Sequence, residues 1–299
     1  MLNKKHVALL SVGSNTSLII LKVIVGIISG SVSIISEAIH SSLDLVAAFV
    51  AWISVRKAEN PPDEKHPYGH GKYENVSGVI EAILIIVAVL WIVYEAVEKF
   101  ISNSSVESDN LKYGVIVMVF SGIVNYIISS KLYKVAKRED SVALEADALH
   151  LKTDVYTSVG VGFGLLIIWI TKISFLDPVI AILVAVFILR EACIMLKKAF
   201  APLVDEKLSD EDIKIIVDII NKQEFVCNSP HEIRSRKSGN MKFIDLHIEM
   251  NRELILEQVH NICDSIEEEV KQKMKNTEIL IHAEPCKNYC EECDKKYNK

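Results

Sequence analysis

The sequence predicts an α-helical membrane protein, a six-helix transmembrane bundle followed by a small α+β domain of αββαβ order. Three observations predict it. The chain has 299 residues, half of them hydrophobic (50%), with a mean hydropathy of +0.28, and the apolar residues concentrate in the first two thirds. That part divides into six apolar runs of roughly the 20 residues a bilayer-crossing helix needs. From about Asp205 the pattern changes to short alternating strands and amphipathic helices.

The expected spans are residues 7–28, 32–54, 76–97, 113–132, 142–171 and 175–196. Ser11, Ser14, Asn15, Thr16 and Ser17 interrupt the first, so its polar face is expected against a neighbouring helix or a wet cavity rather than lipid. The fifth is longer than a bilayer requires, and its Glu145 to Asp147 end is expected to project into water. Orientation follows from basic residues in short loops. Lys4 and Lys5 precede the first span, and Arg56, Lys57, Lys65 and Lys72 lie between the second and third. Lys134, Lys137 and Arg138 separate the fourth from the fifth, and Lys197 and Lys198 follow the sixth. The opposite loops hold only Lys99, Lys112 and Lys172, so both termini are expected to be cytoplasmic.

Residues 205–285 are expected to form a cytoplasmic domain. Ser209 caps a helix whose first turn is acidic (Asp210, Glu211, Asp212). Two alternating strands, 231–237 and 243–250, flank a turn at Gly239 and Asn240. A helix over 254–275 and a strand over 278–282 complete an open-faced sandwich, with helices on one side of three strands. Residues 286–299 read as a charged tail.

The ionisable residues inside the greasy runs carry the chemistry. His40 and Asp44 stand at i, i+4 in the second span, and His150 and Asp154 repeat that spacing in the fifth. Such pairs share a helix face. Ionisable side chains at membrane depth are costly and usually mark an ion pathway. Two imidazoles and two carboxylates suit tetrahedral Zn²⁺, and one cation satisfying all four removes the cost of burying them. A second group, Asp63, His66 and His70, lies in the loop after the second span, where Pro67 and Gly69 favour a turn that brings the imidazoles together.

These residues resemble the cation diffusion facilitator family, especially its bacterial zinc/proton antiporters, over nearly the whole chain from the first span to Cys286. The resemblance implies that His40, Asp44, His150 and Asp154 form a transport site. Many bacterial members have Asp where this chain has His40, a departure that resembles the eukaryotic zinc-transporter branch and implies preference for Zn²⁺ over Cd²⁺. It further implies a loop metal site at Asp63, His66 and His70. It implies a cytoplasmic two-metal site at His231, His247, His260, His282 and Glu284, with partners crossing a homodimer interface. Glu284 stands where close bacterial relatives have Asp. Of the nine histidines, His6 alone falls outside these groups. Leu149, beside His150, is expected in an apolar gate.

The function implied is efflux of a divalent cation, Zn²⁺ in exchange for protons. An Fe²⁺, Co²⁺ or Cd²⁺ exporter of the same family and a non-transporting metal sensor are the alternatives. Mn²⁺ fits less well, because it prefers oxygen-rich octahedral shells. An enzyme is not expected: the chain has neither an H-E-x-x-H motif nor a Walker A sequence. A net charge of −6 without a polybasic tract gives no sign of a nucleic-acid partner. No cleavable secretory signal is evident, and the expected location is the cell's inner membrane. Six cysteines are too few and uneven for a disulfide scaffold, so reduced thiols are expected. Cys286, Cys290 and Cys293 offer either a soft-metal site or free thiols on the tail.

Overall fold

A computed structural model describes residues 3–29, 32–102, 111–171, 176–223 and 226–286. The chain forms two compact units, Met1–Phe200 and Ala201–Lys299. The first contains six helices: α1 (Lys4–Ser29), α2 (Val32–Ala58), α3 (Lys72–Ser102), α4 (Leu111–Glu139), α5 (Val142–Thr171) and α6 (Leu176–Phe200). Helix α1 packs on α2, α4 on α5 and α3 on α6, and α5 also touches α2, α3 and α6. By length and composition, Lys4–Val25 and Lys72–Glu98 qualify unaided as membrane spans among the described residues, with mean hydropathies of 1.8 and 2.7.

The bundle exposes large apolar side chains on its outside and buries polar ones alongside the apolar clusters of its interior. Leu9, Ile24, Phe49, Leu90, Trp91 and Phe187 are exposed, whereas Ser11, Asn15, Asp44, Glu81, Asn125 and His150 are buried. That arrangement suits a lipid surround, because polar side chains must find partners within the protein. The first span divides along this line. Ser11 and Asn15 turn inward, but Thr16 and Ser17 are exposed and return their hydroxyls to the carbonyls of Val12 and Gly13, both at 2.8 Å. Only part of the expected polar face therefore serves the interior.

The start of α5 departs from expectation. Ala146 and Asp147 are 0% and 1% exposed, so this end does not project into water. It is tucked against α3 and α6, where Ala82, Val142, Ala146, Met195 and Ala199 form one apolar cluster. A Cβ on Gly78 of α3 would lie 2.9 Å from Val142 Cγ1 and 3.1 Å from Ala199 Cβ, so the bare glycine permits the approach. Glu145 is neutralised by Lys137 at 3.1 Å and Lys198 at 2.5 Å. At the same end, Lys4 pairs with Glu74 at 3.2 Å, and Ser141 donates to the other Glu74 oxygen.

In the second unit a short 3-10 turn, Ala201–Val204, leads to α7 (Asp210–Ile220), β1 (His231–Ser238), β2 (Met241–Met250), α8 (Leu256–Lys273) and β3 (Thr277–Pro285). Ser209 caps α7 by accepting the Asp212 N–H at 3.1 Å. Gln258 reaches back from α8 to accept the Ile255 N–H at 3.1 Å. The sheet order is β1-β2-β3, with β1 antiparallel and β3 parallel to β2. The β1–β2 hairpin turns at Gly239, whose φ of +59° favours a residue without Cβ. Period-two alternation sends Ile244, Leu246, Ile248 and Met250 of β2 into a core with Ile216, Ile219 and Ile220 of α7 and Ile266 and Val270 of α8. Asp245, His247 and Glu249 consequently point to the sheet's other face, away from the helices.

The cysteines also depart from expectation. Cys227 and Cys286 are joined by a disulfide, which ties the segment before β1 to the end of β3. Their backbone N–H groups bond Glu249 and Met250 carbonyls at 2.8 and 2.9 Å, so the β2 end holds both segments and brings the sulfurs together. Cys290 and Cys293 lie outside the described residues.

Candidate metal centres

Within the bundle, α2 supplies Asp44 and α5 supplies His150 and Asp154, and one ligand atom from each lies within 4.8 Å of the others. His150 Nε2 is 2.9 Å from Asp44 Oδ1 across the two helices, with both side chains only 10% exposed. Neighbouring helices hold the group. Asn125 of α4 donates to Asp154 Oδ2 at 3.4 Å, and Asn15 of α1 donates to the Asp44 carbonyl at the same distance. Ser129 of α4 donates to the Ala148 carbonyl at 2.8 Å and fixes α5 two residues before His150. Among the described residues, His150 Nδ1 and Asn125 Oδ1 are buried without hydrogen-bond partners. His40 lies on α2, one turn before Asp44, and its side chain is outside those described. Leu149 packs with the apolar clusters of α3 and α6 and lines a cavity of about 240 Å³ beside Tyr133, Glu145, Lys152 and Lys198.

Three residues near this group support it, of which the sequence singled out Asn15 but not Asn125 or Lys22. Asn125 and Asn15 orient the carboxylate and the α2 backbone, and Lys22 of α1 is buried with its ammonium 2.6 Å from Ser41 Oγ. The available signal was a strongly polar side chain within an apolar run, the same signal that marks the His and Asp pairs.

The loop group is local. Asp63 Oδ1 accepts the backbone N–H groups of Lys65 at 2.9 Å and His66 at 2.6 Å, an Asx turn. His66 Nδ1 lies 3.0 Å from the same oxygen, and His70 Nε2 lies 3.3 Å from Asp63 Oδ2. Gly69, at φ +76°, turns the chain so that the two imidazoles sit 4.4 Å apart. The His66 backbone N–H is the leading cause that holds the Asp63 carboxyl below its ordinary range. His70 is buried against Tyr73 of α3, while Asp63 and His66 remain open to solvent.

The third group is a row across the sheet. His247 of β2 pairs in register with His231 of β1 on one side and His282 of β3 on the other, and Glu284 follows two residues on, on the same face. His247 Nδ1 is 2.9 Å from Glu284 Oε1, His282 Nε2 is 3.6 Å from it, and His231 Nε2 is 3.8 Å from Oε2. The His247 hydrogen bond is the leading cause of a lowered Glu284 pKa. Glu232 also approaches, 3.6 Å from His247 Nε2. It stands at a register shift in β1 with a φ of +50°, and a bulge of this kind re-aims side chains. His260 lies on α8, 3.4 Å from Asp264, and does not join the row within one chain.

The cation efflux transmembrane domain matches residues 8–204, and the cytoplasmic domain of cation efflux proteins matches residues 208–286. The chain belongs to the cation efflux family, the cation diffusion facilitators. This cation efflux protein is therefore a membrane transporter of divalent metal ions rather than an enzyme, and it carries the family's cytoplasmic dimerisation domain. It is 31% identical to the uncharacterized transporter sll1263 of Synechocystis over 93% of this chain and 89% of the relative. It is 29% identical to protein p34 of Rickettsia prowazekii (94% and 92% covered) and 28% identical to the cation-efflux pump FieF of Escherichia fergusonii (90% and 88%). The solved metal-bound C-terminal domain of the CzcD transporter from Thermotoga maritima is similar over 27% of this chain and 98% of its own, at 25% identity and a TM-score of 0.25.

Proposed function

We propose that this transporter exports Zn²⁺ from the cytoplasm in exchange for protons, through a site made by His40, Asp44, His150 and Asp154. The observation that carries the reading is the convergence of Asp44, His150 and Asp154 donors from two helices inside the bundle. Helical spacing assigns His40 to the Asp44 face of α2. Two imidazoles and two carboxylates favour Zn²⁺ over cations that need larger oxygen shells. Binding requires neutral imidazole and ionised carboxylate, so protons arriving from outside compete for the same atoms and release the metal. Because α2 and α5 each supply part of the shell, sliding or tilting of one helix against the other changes the affinity. That differential affinity is what lets the ion bias an inward-open against an outward-open state.

The termini are cytoplasmic in this reading, and residues 205–285 dimerise in the cytoplasm. Zinc held by His231, His247, His282 and Glu284, with His260 contributed across the dimer, reports cytoplasmic zinc to the transporter. Asp63, His66 and His70 hold a further ion in the loop. The test is uptake into proteoliposomes under an imposed pH gradient, with Zn²⁺, Fe²⁺, Co²⁺ and Cd²⁺ in parallel. Zinc accumulation that collapses with the gradient is expected. Binding without accumulation would identify a sensor, and preferential Fe²⁺ or Co²⁺ uptake would reassign the substrate.

A further inference from the structure

The Cys227–Cys286 disulfide brackets the whole cytoplasmic metal row. Its two cysteines stand 59 residues apart in the chain, and His231, His247, His260, His282 and Glu284 all lie between them. Cys227 shortly precedes His231, and Cys286 shortly follows Glu284. The bond therefore joins the approach to β1 with the exit of β3, the two strands that flank β2 and its His247. Hydrogen bonds also hold these ends. The Cys227 N–H donates to the Glu249 carbonyl, the Cys286 N–H to the Met250 carbonyl, and Arg252 to the Cys286 carbonyl. Strand ends held in this way open readily. His231 is the more exposed to fraying, because the β1–β2 register is broken between His231 and Arg234.

A disulfide in this compartment calls for an explanation. Residues 208–286 match the cytoplasmic domain of the family, and glutathione and thioredoxin keep cytoplasmic thiols reduced. Cytoplasmic disulfides are accordingly transient ones that exchange with the thiols around them. Access permits such exchange here. Cys227 is half-buried, whereas Cys286 is 5% exposed, so Cys227 is the sulfur that a small disulfide reaches first. Among the described residues, Cys193 and Cys263 are free thiols and serve as internal controls.

We propose that Cys227 and Cys286 form a reversible redox clasp, which exchanges with small disulfides of the glutathione class and tightens the zinc row when closed. The Cys227 sulfur attacks one sulfur of the small disulfide, forming a mixed disulfide, and its proton leaves with the small thiol released. The Cys286 sulfur then attacks the Cys227 sulfur, its proton leaves with the second small thiol, and the intrachain bond closes. The protein gives up two electrons and two protons, and the small disulfide takes up both as two thiols. Closed, the clasp keeps the β1 start and the β3 end on β2, so His231 and Glu284 stay beside His247. Open, both ends fray and these donors part. The effect on zinc rests on the zinc-row reading given above, but the thiol exchange does not.

The test uses the full chain in detergent, equilibrated in buffers that run from excess glutathione to excess glutathione disulfide. Free thiols are blocked with iodoacetamide, and peptides are mapped by mass spectrometry. A linked Cys227–Cys286 peptide pair should form under glutathione disulfide and disappear under glutathione. Desalted samples are then titrated with zinc, with His247→Ala run alongside to subtract ions held elsewhere. The closed form should bind about 10-fold more tightly, the scale on which groups that support metal ligands act, with the same zinc count per chain. Cys227→Ser and Cys286→Ser should each hold the affinity at the open value in both buffers. The wild type in its two forms carries the decision if a serine variant does not fold. Failure of the pair to form, its persistence in excess glutathione, or equal zinc affinity in both forms would overturn the proposal. An extra zinc per open chain would overturn it too, because the thiols would then be metal ligands. If neither form binds zinc at the row, the zinc reading fails, and the reversible peptide pair alone decides the exchange chemistry.

Discussion

The bundle group and the sheet group use the same donors, imidazole and carboxylate, on opposite kinds of scaffold. Asp44 and His150 come from helices α2 and α5 and meet only because those helices pack. His231, His247 and His282 come from paired strands of one sheet, where backbone register fixes their spacing. Helices slide past one another at modest cost, but a strand cannot shift register without losing its ladder and turning its apolar residues outward. A site shared between helices can therefore be made and unmade during a cycle, while a sheet row stays assembled. Burial differs in the same sense: the bundle group is enclosed, and the sheet row is open along the face opposite the helices.

The sharpest way to break this comparison is to remove one donor from each group. Asp154→Ala should lower zinc flux by about 100-fold or more, the scale on which site residues control metal affinity and activity, while zinc binding by the cytoplasmic domain persists. Flux assays and equilibrium dialysis on the same preparation check both halves. His247→Ala should do the reverse. As the residue that pairs with both other strands, it should cost about 10–100-fold in cytoplasmic zinc affinity yet leave saturated flux intact.

Packing sets the next effect. Gly78→Ala places a methyl 2.9 Å from Val142 and 3.1 Å from Ala199, so α3 must retreat from α5 and α6. A loss of about 1–3 kcal/mol in bundle stability is expected from such overpacking, with the cytoplasmic domain unaffected. Thermal denaturation in detergent, followed separately for the two units, measures it.

The smallest effects concern Glu284. Glu284→Asp keeps the charge and shortens the reach, so a change of only a few fold in zinc affinity is expected. The pH dependence has a definite sign. Glu284 has a pKa lowered from 4.5, first by its hydrogen bond with His247. Its contribution is therefore complete above the unfolded value and is lost as pH falls through the still lower folded one. Because its carboxylate stays ionised above pH 4.5, Glu284→Gln should weaken zinc binding across that whole range. A zinc titration across pH, with and without the substitution, decides this.

Much of the architecture was legible because each element carries its own period. Six apolar runs gave six helices, and the alternation over 243–250 gave β2 two faces, with His247 opposite Ile248. The i, i+4 pairs likewise announced one face on each of two helices. What sequence left open depended on packing between elements. Nothing local says that Asp147 is buried, because the packing of α3 and α6 over the start of α5 decides it. The Glu232 bulge and the Cys227–Cys286 disulfide were equally hidden, since both follow from how separate segments are held along β2. Lys22 and Asn125 gave a visible signal that went unread, a polar side chain at membrane depth.

The central claim is that metal crosses the bilayer through the bundle group, not through the sheet row. It is tested most directly by radioactive zinc uptake into proteoliposomes, comparing Asp44→Asn/Asp154→Asn with His247→Ala/Glu284→Gln. The account predicts background uptake for the first variant and wild-type uptake at saturating zinc for the second. Wild-type uptake by the first variant would contradict it.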